Sequence, residues 1–197
     1  MVREYKTEKG LVRIHIENDP ESPRVWDNVV TLHTRQGCPY FDNESPYETY
    51  DELITHYDVT QSGYDRPAMY RDIENLINAA KEKGDIIKPL SIYSHSGDYL
   101  YIGTPKDHFD GRWDCSLVGF GIIDSETIKR EWDGDMEAAE RYFKGEIETL
   151  SQYIAGEVYW YELLDPDTEE IIDSCGGFYG SDVSQNGIED YVGKEVA

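Results

Sequence analysis

The chain is poor in basic residues. It has 18 Lys and Arg against 41 Asp and Glu among 197 residues, a formal net charge of −23. A surface this negative repels nucleic acid and anionic lipid, and it attracts basic protein surfaces over about 10 Å at ordinary salt. We therefore expect no direct nucleic-acid binding and no membrane binding, and we expect a basic partner.

Long apolar runs and paired cysteines are also missing. No apolar run approaches the roughly 20 residues of a membrane span. The first ten residues, MVREYKTEKG, contain no apolar stretch, so we expect no secretory signal. The three cysteines, Cys38, Cys115 and Cys175, have no framework spacing. Reduced thiols in the cytoplasm of a host cell are the simplest expectation.

The motifs that mark common catalytic and metal sites are absent from the sequence. There is no CxxC pair, no HExxH, no GxSxG and no glycine-rich phosphate loop. The stretch DHFDGRWDC clusters Asp107, His108, Asp110 and Asp114, but its spacing is not that of an EF-hand loop. A solvated turn is the favoured interpretation of this stretch. We predict no metal and no cofactor.

The pattern of apolar residues predicts an α+β fold, with an antiparallel sheet built from hairpins and packed by about four helices. Alternating or apolar runs predict strands at 11–17, 25–34, 89–103 (a hairpin), 116–124, 157–164 and 170–175. Helical spacing predicts helices at about 46–57, from Pro67 to Gly84, from Asp124 or Ser125 to Trp132, and from Asp135 to Ala155. We expect one domain over residues 1–180 and a polar tail over residues 181–197.

Helix ends carry specific local signals. Ser45 and Glu48 form a capping-box pattern with Pro46 at the first helical position. Gly84 is expected to close the second helix. Gly145, in the middle of the longest predicted helix, suggests a close approach by another group.

The negative charge is concentrated in one quarter of the chain. Residues 124–173 contain 16 acidic and 4 basic residues. Several of the acidic residues lie on the outer face of the longest predicted helix or just before it. We predict a partner-binding surface made of Asp133, Asp135, Glu137, Glu140 and Glu148.

A second set of residues could form a pocket. In IIDSCGGFYG, Cys175 follows a predicted strand and precedes two glycines, an arrangement that can present a thiolate beside backbone donors. His95 is a candidate base, and Asp114 is a candidate third member. Further candidates for the lining are Glu146, Tyr153, Asp173 and Tyr179. A buried, inert cysteine remains the competing interpretation.

Four stretches carry a resemblance: DPESPRVWDN, WDCSLVGF, GEIETLSQYIAGEVYWYEL and DSCGGFYG. In this order they resemble an uncharacterised family of small bacteriophage and mobile-element proteins, over about residues 18–180. The chain departs from the family pattern at Gly176, where tryptophan is usual, and at Leu150–Ser151, where Tyr-Asp is usual. The resemblance implies a genetic setting, in which small acidic proteins often counter host defences by imitating the charge of DNA.

Three hypotheses follow. The first is a non-enzymatic anti-defence protein, anti-restriction or anti-CRISPR, that binds a basic, nucleic-acid-binding host protein. The second is a small-molecule-binding protein or enzyme with a pocket around Cys175, His95 and Asp114. The third is a structural or regulatory protein whose acidity only maintains solubility or reflects a salt-adapted host.

Overall fold

The computed structural model describes residues 2–35, 38–63, 65–108 and 113–196. Within these residues the chain forms eight strands and five α-helices, which confirms the α+β class. The strands are β1 Arg3–Thr7, β2 Gly10–Ile16, β3 Thr31–Thr34, β4 Ile86–Ser94, β5 Asp98–Ile102, β6 Cys115–Ile123, β7 Val158–Leu164 and β8 Ile171–Tyr179. The helices are α1 Tyr50–His56, α2 Arg66–Lys83, α3 Ser125–Trp132, α4 Met136–Ile154 and α5 Ile188–Val192.

The strands form two separate antiparallel sheets, and the chain divides into two compact units around them. Unit 1 comprises Met1–Val25 and Thr149–Ala197, and unit 2 comprises Trp26–Glu148. The sheet of unit 1 has the order β1-β2-β7-β8, and the sheet of unit 2 has the order β3-β6-β4-β5. The single domain expected over residues 1–180 stays a prediction.

The sheet of unit 1 buries one face. Neighbouring strands place Val12 opposite Leu163 and Ile14 opposite Tyr161, and all four side chains are buried. Helix α5 completes this core. The segment expected to be a polar tail therefore differs from expectation in its described part, because Val183, Ile188 and Val192 are buried in the same cluster. Ile188 and Val192 are four residues apart, so they share one face of a helical turn.

The sheet of unit 2 carries helices on both faces. Phe120 and Ile122 of β6 pack in one cluster with Leu76 of α2. Gly121 points to the opposite face, where an added Cβ would lie 2.5 Å from Cζ of Phe143 in α4. The glycine therefore provides the room that lets α4 approach the sheet closely.

Local signals placed α2 correctly. Its N-cap is Asp65, whose side chain accepts a hydrogen bond from the N–H of Ala68, and Pro67 lies in the first turn. Gly84 closes the helix in the left-handed conformation with φ of 83°. The close approach expected at Gly145 is wrong: no heavy atom among the described residues outside the helix's own nearby backbone and its two chain neighbours lies within 4 Å of an added Cβ.

The predicted start of α1 is also wrong. The N-cap is Thr49, not Ser45, and its hydroxyl accepts a hydrogen bond from the N–H of Glu52. The Glu52 carboxylate in turn accepts from the N–H of Glu48, 2.8 Å away. Ser45 instead contacts Nδ1 of His33 through its hydroxyl at 3.1 Å. A variant of the capping box is therefore present four residues later, with the Glu52 carboxylate bonded to the residue before the N-cap.

No helix in the described part of the chain is long and apolar enough to cross a membrane.

Candidate functional site

The five predicted partner-binding carboxylates all lie in unit 2, at the junction of α3 and α4 and along α4, and all five residues are exposed. Asp133 ends α3 in the left-handed conformation, and its side chain is 91% exposed. Asp135 precedes α4 and accepts a hydrogen bond from the N–H of Ala138 at 3.0 Å. We call these five residues, Asp133, Asp135, Glu137, Glu140 and Glu148, the acidic face.

Lysines neutralise part of the acidic face. Lys129 forms an ion pair with Asp133, and Lys88 of β4 pairs with Glu140 at 2.9 Å. Lys144 is four residues from both Glu140 and Glu148, so it lies on the same side of α4. Exposed pairs of this kind contribute at most about 1 kcal/mol, so a partner's basic groups can compete for these carboxylates.

The charge concentration predicted over residues 124–173 is divided between the two units. Residues 124–148, in unit 2, have nine acidic and four basic residues. Residues 149–173, in unit 1, have seven acidic residues and no basic residue. Residues 149–173 therefore carry the larger net negative charge, and their acidic residues lie on β7, on β8, in the turn between them and, for Glu157, just before β7. The five-residue prediction did not include them.

The structure brings His95 and Asp114 together. Nδ1 of His95 lies 3.2 Å from a carboxylate oxygen of Asp114, and the His95 side chain is 68% exposed. The His95 ring also stacks on Tyr93, with ring centroids 6.1 Å apart. Cys175 is exposed on β8 and belongs to unit 1, so neither unit contains all three residues of the proposed nucleophilic set.

The other predicted pocket residues have structural contacts of their own. The Glu146 carboxylate accepts hydrogen bonds from the N–H groups of Val29 and Val30, at 2.8 and 3.2 Å. Asp173 accepts a hydrogen bond of 2.7 Å from the hydroxyl of Tyr161. Burial, followed by this contact with Asp173, raises the pKa of Tyr161.

Two further members of the predicted pocket are on or near the strands of unit 1. The Tyr179 hydroxyl donates a hydrogen bond of 2.5 Å to the Glu21 carbonyl. Tyr153 is half-buried in the last turns of α4. Glu146 belongs to unit 2, whereas Tyr153, Asp173 and Tyr179 belong to unit 1, so the four-residue pocket stays a prediction.

The described residues of the stretch considered for metal binding make local contacts. Asp107 accepts hydrogen bonds from the N–H and the hydroxyl of Thr104, both at 2.7 Å. His108 packs on Tyr93 with ring centroids 4.4 Å apart. Asp110 lies outside the described residues. In the part of the chain that the structure describes, no three His, Cys, Asp or Glu side chains are placed to hold a metal ion.

Sequence reasoning missed a polar cleft in unit 2. The cleft has a volume of about 530 Å³ and lies beside the start of α3. Its buried carboxylate, Asp85, accepts hydrogen bonds from the Tyr57 hydroxyl at 2.8 Å and from the Ser125 N–H at 2.7 Å. Burial, and next the bond to Asp85, raises the pKa of Tyr57. A charged residue, Asp85, directly before the largely apolar strand sequence IIKPL was the available signal.

A polar cluster on the sheet of unit 1 was also not predicted from the sequence. Nε2 of His15 lies 3.0 Å from the Glu162 carboxylate, and its ring stacks on Trp160 with centroids 4.2 Å apart. Arg13 bonds to Glu4 at 2.7 Å and to Glu169 at 2.8 Å. The contacts of His15 with Glu162 and of Arg13 with Glu169 join residues that are 147 and 156 positions apart, so no local pattern could have revealed them.

No protein-family model, no curated protein and no solved structure matches the chain.

Proposed function

We propose that the protein binds a basic host protein through the acidic face and has no catalytic role in doing so. The observation that carries the proposal is the placement of five exposed carboxylates in one unit, at one helix junction and along one helix. Complementary charge of this kind mainly raises the association rate and selects the partner, and salt weakens it.

The proposed partner is a nucleic-acid-binding component of a defence system, such as a restriction or CRISPR protein. The resemblance to phage and mobile-element proteins and the charge of −23 support this choice. Between Glu137 and Glu148 the helix rises about 16 Å, over which one DNA strand carries about five phosphates and a duplex about ten. Helix α4 presents three carboxylates of the acidic face over this length, which is closer to the charge of one strand than to that of a duplex. The acidic face therefore fits best a basic surface that contacts a single phosphate backbone.

A capture experiment with a matched control tests the proposal. Wild-type protein and the variant D133N/D135N/E137Q/E140Q/E148Q are used to capture proteins from host lysate at low and high salt. We expect the wild type to retain a nucleic-acid-binding protein that salt releases, and the variant to lose it. The control E8Q/D42N/D58N/E74Q/E82Q changes the charge equally at other exposed carboxylates and should retain the partner.

Competition then tests the mode of binding. Duplex or single-stranded DNA added to the captured complex should displace the protein if both occupy the same basic surface. Equal capture by the wild type and the acidic-face variant would refute the proposal. Retention by the acidic-face variant with loss by the control would place the interface elsewhere.

A further inference from the structure

Strand β8 forms an open edge of the sheet in unit 1. The strand order β1-β2-β7-β8 leaves it with β7 on one side only, and residues 171–177 are all exposed. An exposed edge presents unpaired backbone N–H and C=O groups that can bind another strand.

The backbone groups that face outward can be identified. The Glu17 N–H donates to the Val158 carbonyl, so Val158 faces β2, and the Gly180 N–H donates to the Glu157 carbonyl, so Glu157 faces β8. Alternate residues of a strand point their backbone groups to alternate sides. Tyr161 and Leu163 therefore face β8, where they pair with Cys175 and Asp173. Ser174, between these two, directs its N–H and C=O away from β7.

Two irregularities limit the usable length of this edge. The register with β7 shifts at Ile172 and again at Gly176–Gly177. Gly177 has φ of 80°, and its N–H donates to the Glu17 carboxylate at 2.9 Å. This is the geometry of a bulge that requires glycine. Between the two irregularities, the segment that pairs with β7 in unbroken register consists of Asp173, Ser174 and Cys175.

The chemistry around this edge is apolar and negative. Ile171 and Ile172 are 60% and 55% exposed, although isoleucine is among the residues most often buried. The seven carboxylates of residues 149–173 have no basic residue among them in sequence, and Arg13 of β2 pairs with one, Glu169. The edge therefore combines unpaired backbone groups, exposed aliphatic side chains and negative charge.

We propose that the β8 edge binds an extended segment of another protein, which adds as a strand beside Ser174 and carries Lys or Arg next to aliphatic residues. Strand addition takes affinity from main-chain hydrogen bonds and specificity from alternate side chains. A second copy of this chain is the disfavoured occupant, because it would bring another negatively charged β8 edge, with its own Asp173, against this one. This surface is in unit 1 and does not depend on the acidic face.

Fluorescein-labelled peptides provide the test. The probe is KVKVKVK, and the comparisons are EVEVEVE and KVKPKVK, in which the central proline removes a donor. We expect KVKVKVK to bind the full-length protein at 150 mM salt at least 10-fold more tightly than either comparison. Equal binding of KVKPKVK would show attraction by charge alone and would overturn the proposal.

A matched pair of variants locates the bound strand. Ser174→Pro removes the outward N–H but no hydrogen bond to β7, since edge positions tolerate proline on the solvent side. We expect S174P to weaken KVKVKVK binding at least 10-fold relative to Ser174→Ala. If S174P fails to fold, hydrogen exchange of the Ser174 amide in the wild-type protein takes the place of the comparison between S174P and S174A. Bound KVKVKVK should slow that exchange at least 10-fold. Equal affinities of S174P and S174A, or unchanged exchange, would overturn the proposal.

Two controls separate this inference from the proposed function. The variant D133N/D135N/E137Q/E140Q/E148Q should bind KVKVKVK within about 3-fold of wild type, and a loss there would place the peptide on the acidic face instead. Sedimentation of S174P and S174A tests the alternative occupant. A dimer present in S174A and lost in S174P would show that the edge pairs with a second copy and would overturn the choice of a basic partner.

Discussion

The carboxylate of Glu146 accepts a hydrogen bond of 2.8 Å from the backbone N–H of Val29, 117 residues earlier in the chain. Its second oxygen accepts from Val30 at 3.2 Å. One half-buried side chain therefore fixes α4 to the segment that enters β3. Glu146 differs in this from Glu148, two residues further on, which is exposed.

This difference predicts unequal costs in stability for substitutions at these two positions. Glu146→Ala leaves two backbone donors without their acceptor, and we expect it to lower the free energy of unfolding by about 1–3 kcal/mol. Glu148→Ala should change it by no more than about 0.5 kcal/mol. Urea unfolding measures both, and similar values for the two variants would contradict the structural role of Glu146.

Buried His33 predicts a pH dependence of stability. His33 is 0% exposed, and its Nδ1 contacts Ser45. Burial lowers the pKa of His33 in the folded protein, so below pH about 6.5 the unfolded chain binds a proton that the folded protein does not. We expect stability to fall between pH about 6.5 and 5, by at most about 1.4 kcal/mol per pH unit from this residue.

His33→Gln separates this titration from a merely structural effect. Any general destabilisation by the substitution lowers stability at all pH values, whereas loss of the titration flattens the slope. Urea unfolding at pH 7.5, 6.5, 6 and 5.5 gives both quantities. An unchanged slope in His33→Gln would assign the pH dependence to other groups.

Two glycines predict effects of opposite sign. Gly145→Ala adds a methyl group in mid-helix, where no described atom outside the helix's own nearby backbone and its two chain neighbours lies within 4 Å, and should stabilise the protein by about 0.5–1 kcal/mol. Gly121→Ala would place its Cβ 2.5 Å from Phe143 and 3.0 Å from Val30, and overpacking of this kind costs about 1–3 kcal/mol. Thermal unfolding compares them, and destabilisation by Gly145→Ala would refute the first expectation.

The exposure of Cys175 predicts selective labelling. Cys38 and Cys115 are half-buried, so a thiol reagent should modify Cys175 first. Cys175→Ala should abolish the fast phase of thiol labelling. It should change the free energy of unfolding by less than about 0.5 kcal/mol. Mass spectrometry of the modified peptides identifies the site. Fast labelling of Cys115 instead of Cys175 would contradict this expectation and would identify the reactive thiol as the one next to Asp114, the partner of His95.

Elements with local signals were predictable from the sequence. Asp65, Pro67 and Gly84 bound α2 by capping chemistry that involves near neighbours only. The short strand β1 was missed because it buries only Tyr5 and Thr7, too few positions to show alternation. The predicted strand ends at Cys175, four residues before β8 ends at Tyr179. Two successive glycines resemble a turn in a sequence, whereas in the structure Gly177 occupies a bulge within the strand.

The candidate site was less predictable than the fold. The outer positions of α4 follow from helical periodicity, so the exposure of Glu137, Glu140 and Glu148 could be predicted. The lysine opposite Glu140 could not, because Lys88 reaches it from another element 52 residues away. The open edge beside Ser174 depends on which strand stands at the margin of a sheet, and this order arises only from long-range pairing.

The division of unit 1 between the two ends of the chain affects how the protein is made. Strands β1 and β2 leave the ribosome before unit 2, but β7 pairs with β2 only after the 123 residues of unit 2 have followed. At about 5–20 residues per second this delay is roughly 6–25 s. Unit 2 becomes complete in sequence at the end of that interval, and until then the β1–β2 hairpin has its apolar side exposed. Nascent-chain chaperones would therefore meet this hairpin before β7 is available to pair with it.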